Sequence, residues 1–362
     1  MNNDNILTTT AARLFEDLAP ASTLSASETG TWSAVLWEAL ENHGMTHAAV
    51  PEALGGAGAD LIDVFDLLTV GGSYSVPLPL AETFLAGWLL AGAGMKVPRG
   101  PLSIVPASAA GLILNRDGEA WRLSGTATRV PWGRHAHYIV MLVRDDEQDY
   151  VACVPHSACV FSHGENLAGE PRDDISVSTL SLSDAQLGVA GAGIDQDALK
   201  LMGACARACQ MAGALDRILH LAISYVGERV QFGRPLAKFQ AIQHQLATLA
   251  GEVAAAGVAA DAAARVIQQH GLAQAELEIS AAKLRTGEAA GNGAAIAHQV
   301  HGAMGFTQEY PLHYATRRLW SWRDEFGNES YWAERLGAML LARGGDALWL
   351  DLTARAGIAP PD

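Results

Sequence analysis

Charge is scarce in this 362-residue chain: Asp, Glu, Lys and Arg make up 17% of it, against 49% hydrophobic residues. A disordered chain needs the opposite balance, so the composition is that of a well-covered globular protein with a substantial core. The length has room for two or three domains or one large multi-layer unit. What charge there is leans acidic, with a formal net charge of -15 and no Lys/Arg cluster. Phosphate binding along a nucleic acid needs a basic stripe, which excludes a nucleic-acid partner. Long apolar runs are missing too. The most apolar window, Phe84 to Ala93, is about half of the roughly 20 residues that a bilayer requires, so it reads as a buried helix and no membrane span is expected. Residues 1–20 lack a basic segment followed by an apolar core, so no secretory signal is seen and a cytoplasmic location is expected. Cysteine is sparse. Cys153, Cys159, Cys205 and Cys209 form neither a CxxC pair nor a His-flanked zinc pattern, so no metal is expected. Cys205 and Cys209 share one face of a helix, where ordinary core packing accounts for them. No internal repeat is present.

Periodicity divides what remains into three textures. Up to about residue 95, Trp32–Asn42, Leu61–Leu68 and Ala81–Leu90 read as helices between glycine and proline breaks. A Pro/Gly-rich junction, Gly94 to Pro101, ends that pattern. Short β-rich runs follow at 112–114, 120–128, 138–143, 150–154 and 176–182, separated by turn residues such as Arg116–Gly118 and Asp145–Glu147, as in a small antiparallel barrel or sandwich. From Asp195 the chain is helical again. Asp195 or Asp197 can cap a long helix whose stripe runs through Leu199, Met202, Ala206, Cys209, Ala212, Leu215, Leu219, Ala222 and Val226. Gly233 and Pro235 turn the chain into a second helix from Phe239, and Leu272–His301 supplies a third. Together these make most of an antiparallel four-helix bundle, with one or two last helices over Tyr331–Leu350. The expected fold is therefore α+β and multi-domain. A helical domain at 1–98 and a small antiparallel β-domain at 99–190 precede a helical bundle at 191–362.

Two long motifs carry chemistry. The first is Gln299, Gly302, Gly305, Phe306, Thr307, Glu309, Tyr310 and Pro311, a helix end and glycine-rich turn that Pro311 prevents from continuing as helix. The second runs from Arg229 through Phe232, Gly233 and Leu236 to Gln240, Leu246 and Ala247. In this order and at this spacing they resemble the acyl-CoA dehydrogenase family. The resemblance is strong over the C-terminal half and weak over the N-terminal half, where Pro51–Gly58 is similar to a loop between early helices of that family. Its glycines do not follow a strand into a βαβ unit, which argues against a dinucleotide fingerprint.

The resemblance implies FAD as cofactor, an acyl-CoA as substrate and, in many members, an electron-transfer flavoprotein as acceptor. It implies α,β-desaturation, in which a carboxylate removes the α-proton and the β-hydrogen leaves as hydride. Carried over by motif, Arg229 binds the flavin pyrophosphate and Phe232 and Gln240 lie along the adenosine half. Gln299, Gly302 and Ala303 approach the cofactor of a neighbouring subunit. Arg229 alone would read as a surface arginine, and Gln299 as a helix-terminal polar residue.

Several family features are absent. The flavin-contacting T-x-P-x-x-G-S-D loop is not found, and Trp132 is either the aromatic that covers the flavin or a plain buried tryptophan. Counting from Gln299, the position of the usual catalytic glutamate is Phe326, which cannot take a proton. The alternative base region of some relatives is here Met202–Cys205, without a carboxylate, and the arginine often found there is Ala204. Glu325 is the nearest substitute. In a helix one residue is a rotation of about 100°, which aims Glu325 away, with Arg318 or Arg323 as salt-bridge partners. A non-helical turn at Gly327 would re-aim it. The catalytic base is thus unassigned. Three readings stand: a companion subunit in a hetero-oligomer with a glutamate-bearing paralogue, a self-sufficient homo-oligomeric dehydrogenase with an unusual base, and a structural helical protein without flavin. The first resembles the short, base-lacking subunits of heterotetrameric steroid side-chain acyl-CoA dehydrogenases.

Overall fold

A computed structural model describes residues 6–106, 110–118, 120–145 and 148–353. The chain divides into two compact units, residues 1–71 with 76–203 and residues 72–75 with 204–362.

The first unit opens with five helices, α1 (Ile6–Leu18), α2 (Ala21–Glu28), α3 (Ala34–Asn42), α4 (Leu61–Ser73) and α5 (Leu80–Gly92). The last three answer to the expected helices. The first two lie where sequence periodicity had marked nothing, and α2 shows why: it buries only Leu24. The strands are β1 (Leu102–Ile104), β2 (Ala110–Asp117), β3 (Ala120–Pro131), β4 (Tyr138–Arg144), β5 (Asp149–Pro155), β6 (Val160–Ser162), β7 (Arg172–Leu182) and β8 (Leu187–Val189). They form two four-stranded sheets, in the orders β1-β4-β5-β8 and β2-β3-β7-β6. Leu123 and Val130 of β3, Ile139 and Met141 of β4 and Ile175 of β7 meet in one core between them, which makes the arrangement a sandwich. Of the turn expected at 145–147, residues 146 and 147 lie outside the described residues.

The sheets are not wholly antiparallel, as the sequence had led us to expect: β1 pairs with β4 in parallel. The reason is its connection. A hairpin forces antiparallel pairing, whereas β1 arrives directly from α5. The buried Thr83 hydroxyl of α5 holds it there, donating to Leu102 O at 3.1 Å and accepting from Leu102 N at 3.2 Å.

Helix α6 (Gln196–Glu228) begins in the first unit, where the Asp195 carboxylate accepts from Ala198 N at 2.8 Å, and runs on into the second. There follow a small hairpin, β9 (Val230–Gln231) with β10 (Arg234–Pro235), then α7 (Gln240–His270), α8 (Glu276–His301), α9 (Leu312–Trp322), α10 (Glu329–Arg343) and α11 (Gly345–Thr353). The third helix of the bundle starts at Glu276 and not at Leu272, because Leu272–Gln274 is a 3-10 turn after Gly271. Met211, Leu215, Ile218 and Ala222 recur at helical spacing and bury one stripe of α6 against Leu249 of α7, Ala289 and Ala297 of α8, and Leu312 and Leu319 of α9. Each buried leucine contributes on the order of 1.5–3 kcal/mol. Helix α7 is long and apolar enough by composition to cross a membrane, a test that core helices of soluble proteins also pass, and 28% of its most apolar window is buried.

Candidate functional site

Two places in the second unit hold the residues singled out by sequence. The first is a surface built from the end of α6, the β9–β10 hairpin and the α8–α9 turn. Arg229 follows α6 directly, its backbone N–H donating to Tyr225 O at 2.9 Å, and its side chain is exposed. Phe232 sits at the hairpin tip with φ of +51°, 89% exposed, its ring edge-on to Phe239 at 6.1 Å. Gln240, the first residue of α7, is exposed as well.

The glycine-rich turn reaches this surface through Tyr225. The Tyr225 ring stacks on His301 at 4.6 Å and meets Tyr310 edge-on at 5.6 Å, and the Tyr310 hydroxyl donates to Leu221 O at 3.3 Å. Burial lowers the His301 pKa, so its ring is a neutral packing element, and it raises that of the Tyr310 phenol. Gln299, Gly302 and Ala303 lie exposed at the end of α8. Gly302 has φ of +58° with open space where a Cβ would be, so glycine serves the backbone turn there. Phe306 beside it is 74% exposed. The structure thus brings all six sequence-nominated residues to exposed positions, with Arg229 tied to the glycine-rich turn through one tyrosine.

The second place is the turn 323–328 between α9 and α10, and it is built of paired charges. Helix α9 stops at Trp322. Phe326 has φ of +56° and Gly327 φ of +101°, and a Cβ on Gly327 would stand 2.7 Å from the Tyr331 ring. Glu325 is therefore in a turn and not on a helix face. One of its partners is an arginine of α6. Glu325 Oε2 accepts from Nε of Arg207 at 2.7 Å, with the Glu325 side chain 14% and the Arg207 side chain 3% exposed. The turn lets the carboxylate reach back to α6. Arg323 pairs with Glu329 at 2.9 Å, which holds the Glu329 carboxyl below its ordinary value against the opposing effect of burial. Arg318 is buried and donates to Tyr314 O at 3.1 Å.

Beneath the turn lies Lys283 of α8, 1% exposed, whose Nζ donates to Arg323 O at 2.6 Å and Gly327 O at 2.8 Å. Burial pulls its pKa from 10.5 down to about 7, against the opposing pull of Glu329, Glu325 and Asp324. Sequence reasoning missed Lys283 and Arg207. A lone lysine between Ile279 and Leu284 in an Ala-rich helix was the available signal for one. For the other it was an arginine less than a turn beyond Ala204.

The alternative base region is closed: Met202, Ala204 and Cys205 are buried, and burial, followed by the neighbouring Cys209, pushes the Cys205 thiol well up. Trp132, in the first unit, is 4% exposed with φ of +54° and packs on Trp32 at 6.4 Å and His135 at 6.1 Å, so it is occupied as a packing residue.

Residues 191–329 match the family profile described as acyl-CoA dehydrogenase, C-terminal domain. The chain is 29% identical over 289 residues to the acyl-CoA dehydrogenase IpdE2 of Mycobacterium tuberculosis, covering 78% of this chain and 79% of that protein. Among solved structures, the ChsE4-ChsE5 complex from Mycobacterium tuberculosis is similar with a TM-score of 0.83 at 20% identity, over 93% of this chain and 96% of that one. Over residues 191–329 the chain matches the C-terminal domain of the acyl-CoA dehydrogenases, and over most of its length it is similar to proteins of that name. It shares with these oxidoreductases of CH–CH bonds the order of helical segment, β-sandwich and helical bundle. A variant of the Tcur3481-Tcur3483 steroid ACAD aligns with a TM-score of 0.82 at 27% identity, over 94% of this chain and 98% of that one.

Proposed function

We propose that this chain is the companion subunit of a heteromeric acyl-CoA dehydrogenase, which completes the flavin site of a glutamate-bearing paralogue. The observation that carries the reading is the 323–328 turn. The position at which many acyl-CoA dehydrogenases place their base is Phe326, and the adjacent carboxylate, Glu325, is spent on buried Arg207. Breaking such a pair to free a base would strip a buried cation of this carboxylate, at a cost of about 3–5 kcal/mol.

The cofactor-facing surface, by contrast, fits FAD. Arg229 is an exposed guanidinium with the fork geometry that suits a pyrophosphate. Phe232 offers an open ring and Gln240 an amide to the adenosine half of FAD. Gln299, Gly302 and Ala303 serve a cofactor of the neighbouring subunit. FAD held by these residues would supply the hydride acceptor for the β-hydrogen of the acyl group. The α-proton goes to the carboxylate of the paralogue, and this chain orients and covers.

That the ChsE4-ChsE5 and Tcur3481-Tcur3483 structures are two-chain complexes supports a homologous partner. The word steroid attached to the second supports a bulky, ring-bearing acyl-CoA as substrate class. An electron-transfer flavoprotein is the acceptor expected of the complex. We place the domain limits at 98/99 and 190/191 and the complex in the cytoplasm.

Flavin content and subunit composition test the reading, comparing this chain expressed alone with the chain co-expressed with a homologous dehydrogenase. Flavin only in the mixed complex, with turnover nearly intact in Glu325→Gln, is the expected result. A homo-oligomer that holds flavin, is bleached by an acyl-CoA and loses turnover in Glu325→Gln would replace it with the self-sufficient enzyme.

A further inference from the structure

The helical part of the first unit contains a cavity of about 340 Å³. Its walls are the 3-10 turn Met45–His47 and the following residues to Pro51, the inner faces of α4 (Leu61, Val64, Leu67, Leu68) and one face of α5 (Leu80, Thr83, Phe84, Trp88, Ala91). Val64, Leu67, Leu68, Leu80 and Phe84 are buried, while Ala49, Leu61, Trp88 and Ala91 are part-exposed, so the space has a floor and a rim. Protein interiors are close-packed, and a partly open space of this size leaves its apolar floor without packing partners on one side. Taking about 30 Å³ per water-sized group, it has room for about eleven such groups.

One polar group in the lining has no partner. His47 is 7% exposed, and its Nε2 is buried without a hydrogen bond among the described residues. Burial lowers the His47 pKa, Arg99 adds to this, and Glu41 opposes it, so the ring is neutral. The lining carries no Asp, Glu, Lys or Arg. An anion or cation would be desolvated there without a counter-charge, whereas a neutral oxygen meets an imidazole able to donate or accept.

We propose that this cavity is a binding site for a neutral, mainly aliphatic small molecule carrying one hydroxyl or carbonyl oxygen, which takes the hydrogen bond His47 lacks. The site shares no residue with the flavin-facing surface or the 323–328 turn, so it stands or falls apart from the companion-subunit reading.

The test uses 1-octanol as probe, with octanoate as its charged comparator, on the full-length chain. Expected are a saturable rise in Tm with 1-octanol, a moved His47 imidazole nitrogen resonance, and octanoate binding at least about tenfold more weakly. Ala49→Phe, which fills the rim, abolishes the rise in Tm. Ala91→Phe, on a different element, repeats the block should Ala49→Phe fail to fold. No saturable effect of 1-octanol, an unmoved His47 resonance, binding that survives in a folded filling variant, or octanoate binding as tightly as 1-octanol would each overturn the proposal.

Discussion

The two turns at the heart of the second unit are made on opposite principles. Around 229–240 and 299–306, the side chains with functional promise face outward: a guanidinium, two amides and the largely exposed rings of Phe232 and Phe306. At 323–329 the charges turn inward: Glu325 pairs with Arg207, Arg323 with Glu329, and the Lys283 ammonium donates to two backbone carbonyls. Exposed aromatic rings beside a cation are energetically idle until something covers them. A buried, closed charge network holds one conformation and offers nothing to a reactant. The difference teaches that this chain leaves polar and aromatic groups open at one place and engages its charges within the chain at the other.

The sharpest way to break that contrast is at the closed turn. Glu325→Ala removes the carboxylate that buried Arg207 Nε holds, and should cost about 3 kcal/mol of stability, the lower end for a broken buried pair because Glu325 keeps some solvent. Urea denaturation reads it; a change within error would mean the pair is not structural. Next comes the open turn. Arg229→Ala should leave the fold intact yet weaken flavin retention by the mixed complex by about ten- to a hundredfold, as expected for a lost charge-assisted contact. Flavin absorbance after gel filtration measures it, and unchanged retention would remove the arginine from the cofactor.

Lys283 gives a pH signature. Its folded pKa of about 7 lies below the unfolded 10.5, so between those values the unfolded chain binds the extra proton and stability rises with pH. Denaturation of the wild type, measured relative to Lys283→Met, should show the wild type gaining as pH climbs through that window; parallel curves would put the lysine in solvent. The smallest effect belongs to Phe232→Ala. At 89% exposure it should shift stability by less than about 0.5 kcal/mol while lowering flavin retention in the complex.

Much of the fold was legible. The stripe on α6 announces itself because burial imposes a period on side chains, and β4 reads as a short apolar run that is buried almost throughout. Helix α2 was not legible, since it buries only Leu24, whereas α1 was missed although Thr8, Ala11 and Phe15 recur at helical spacing. The parallel strand β1 was hidden as well, because three residues carry no direction. Arg229, Phe232, Gln240, Gln299, Gly302 and Ala303 were nominated from two local motifs, and all six are exposed. Arg207 and Lys283 belong to contacts of 118 and about 40 residues' separation, so the local sequence marks each residue faintly and its partner not at all.

By itself, the sequence determined the class of chain: its helical and β textures, the turn chemistry at Gly302 and Gly327, and the phenylalanine where a base is usual. Tertiary structure alone decided what became of Glu325. A carboxylate's role depends on the charge and solvent around it, and here those come from helices distant in sequence. The left-handed backbone at Phe326 and Gly327 turns Glu325 toward Arg207, and Lys283 fixes that turn from below.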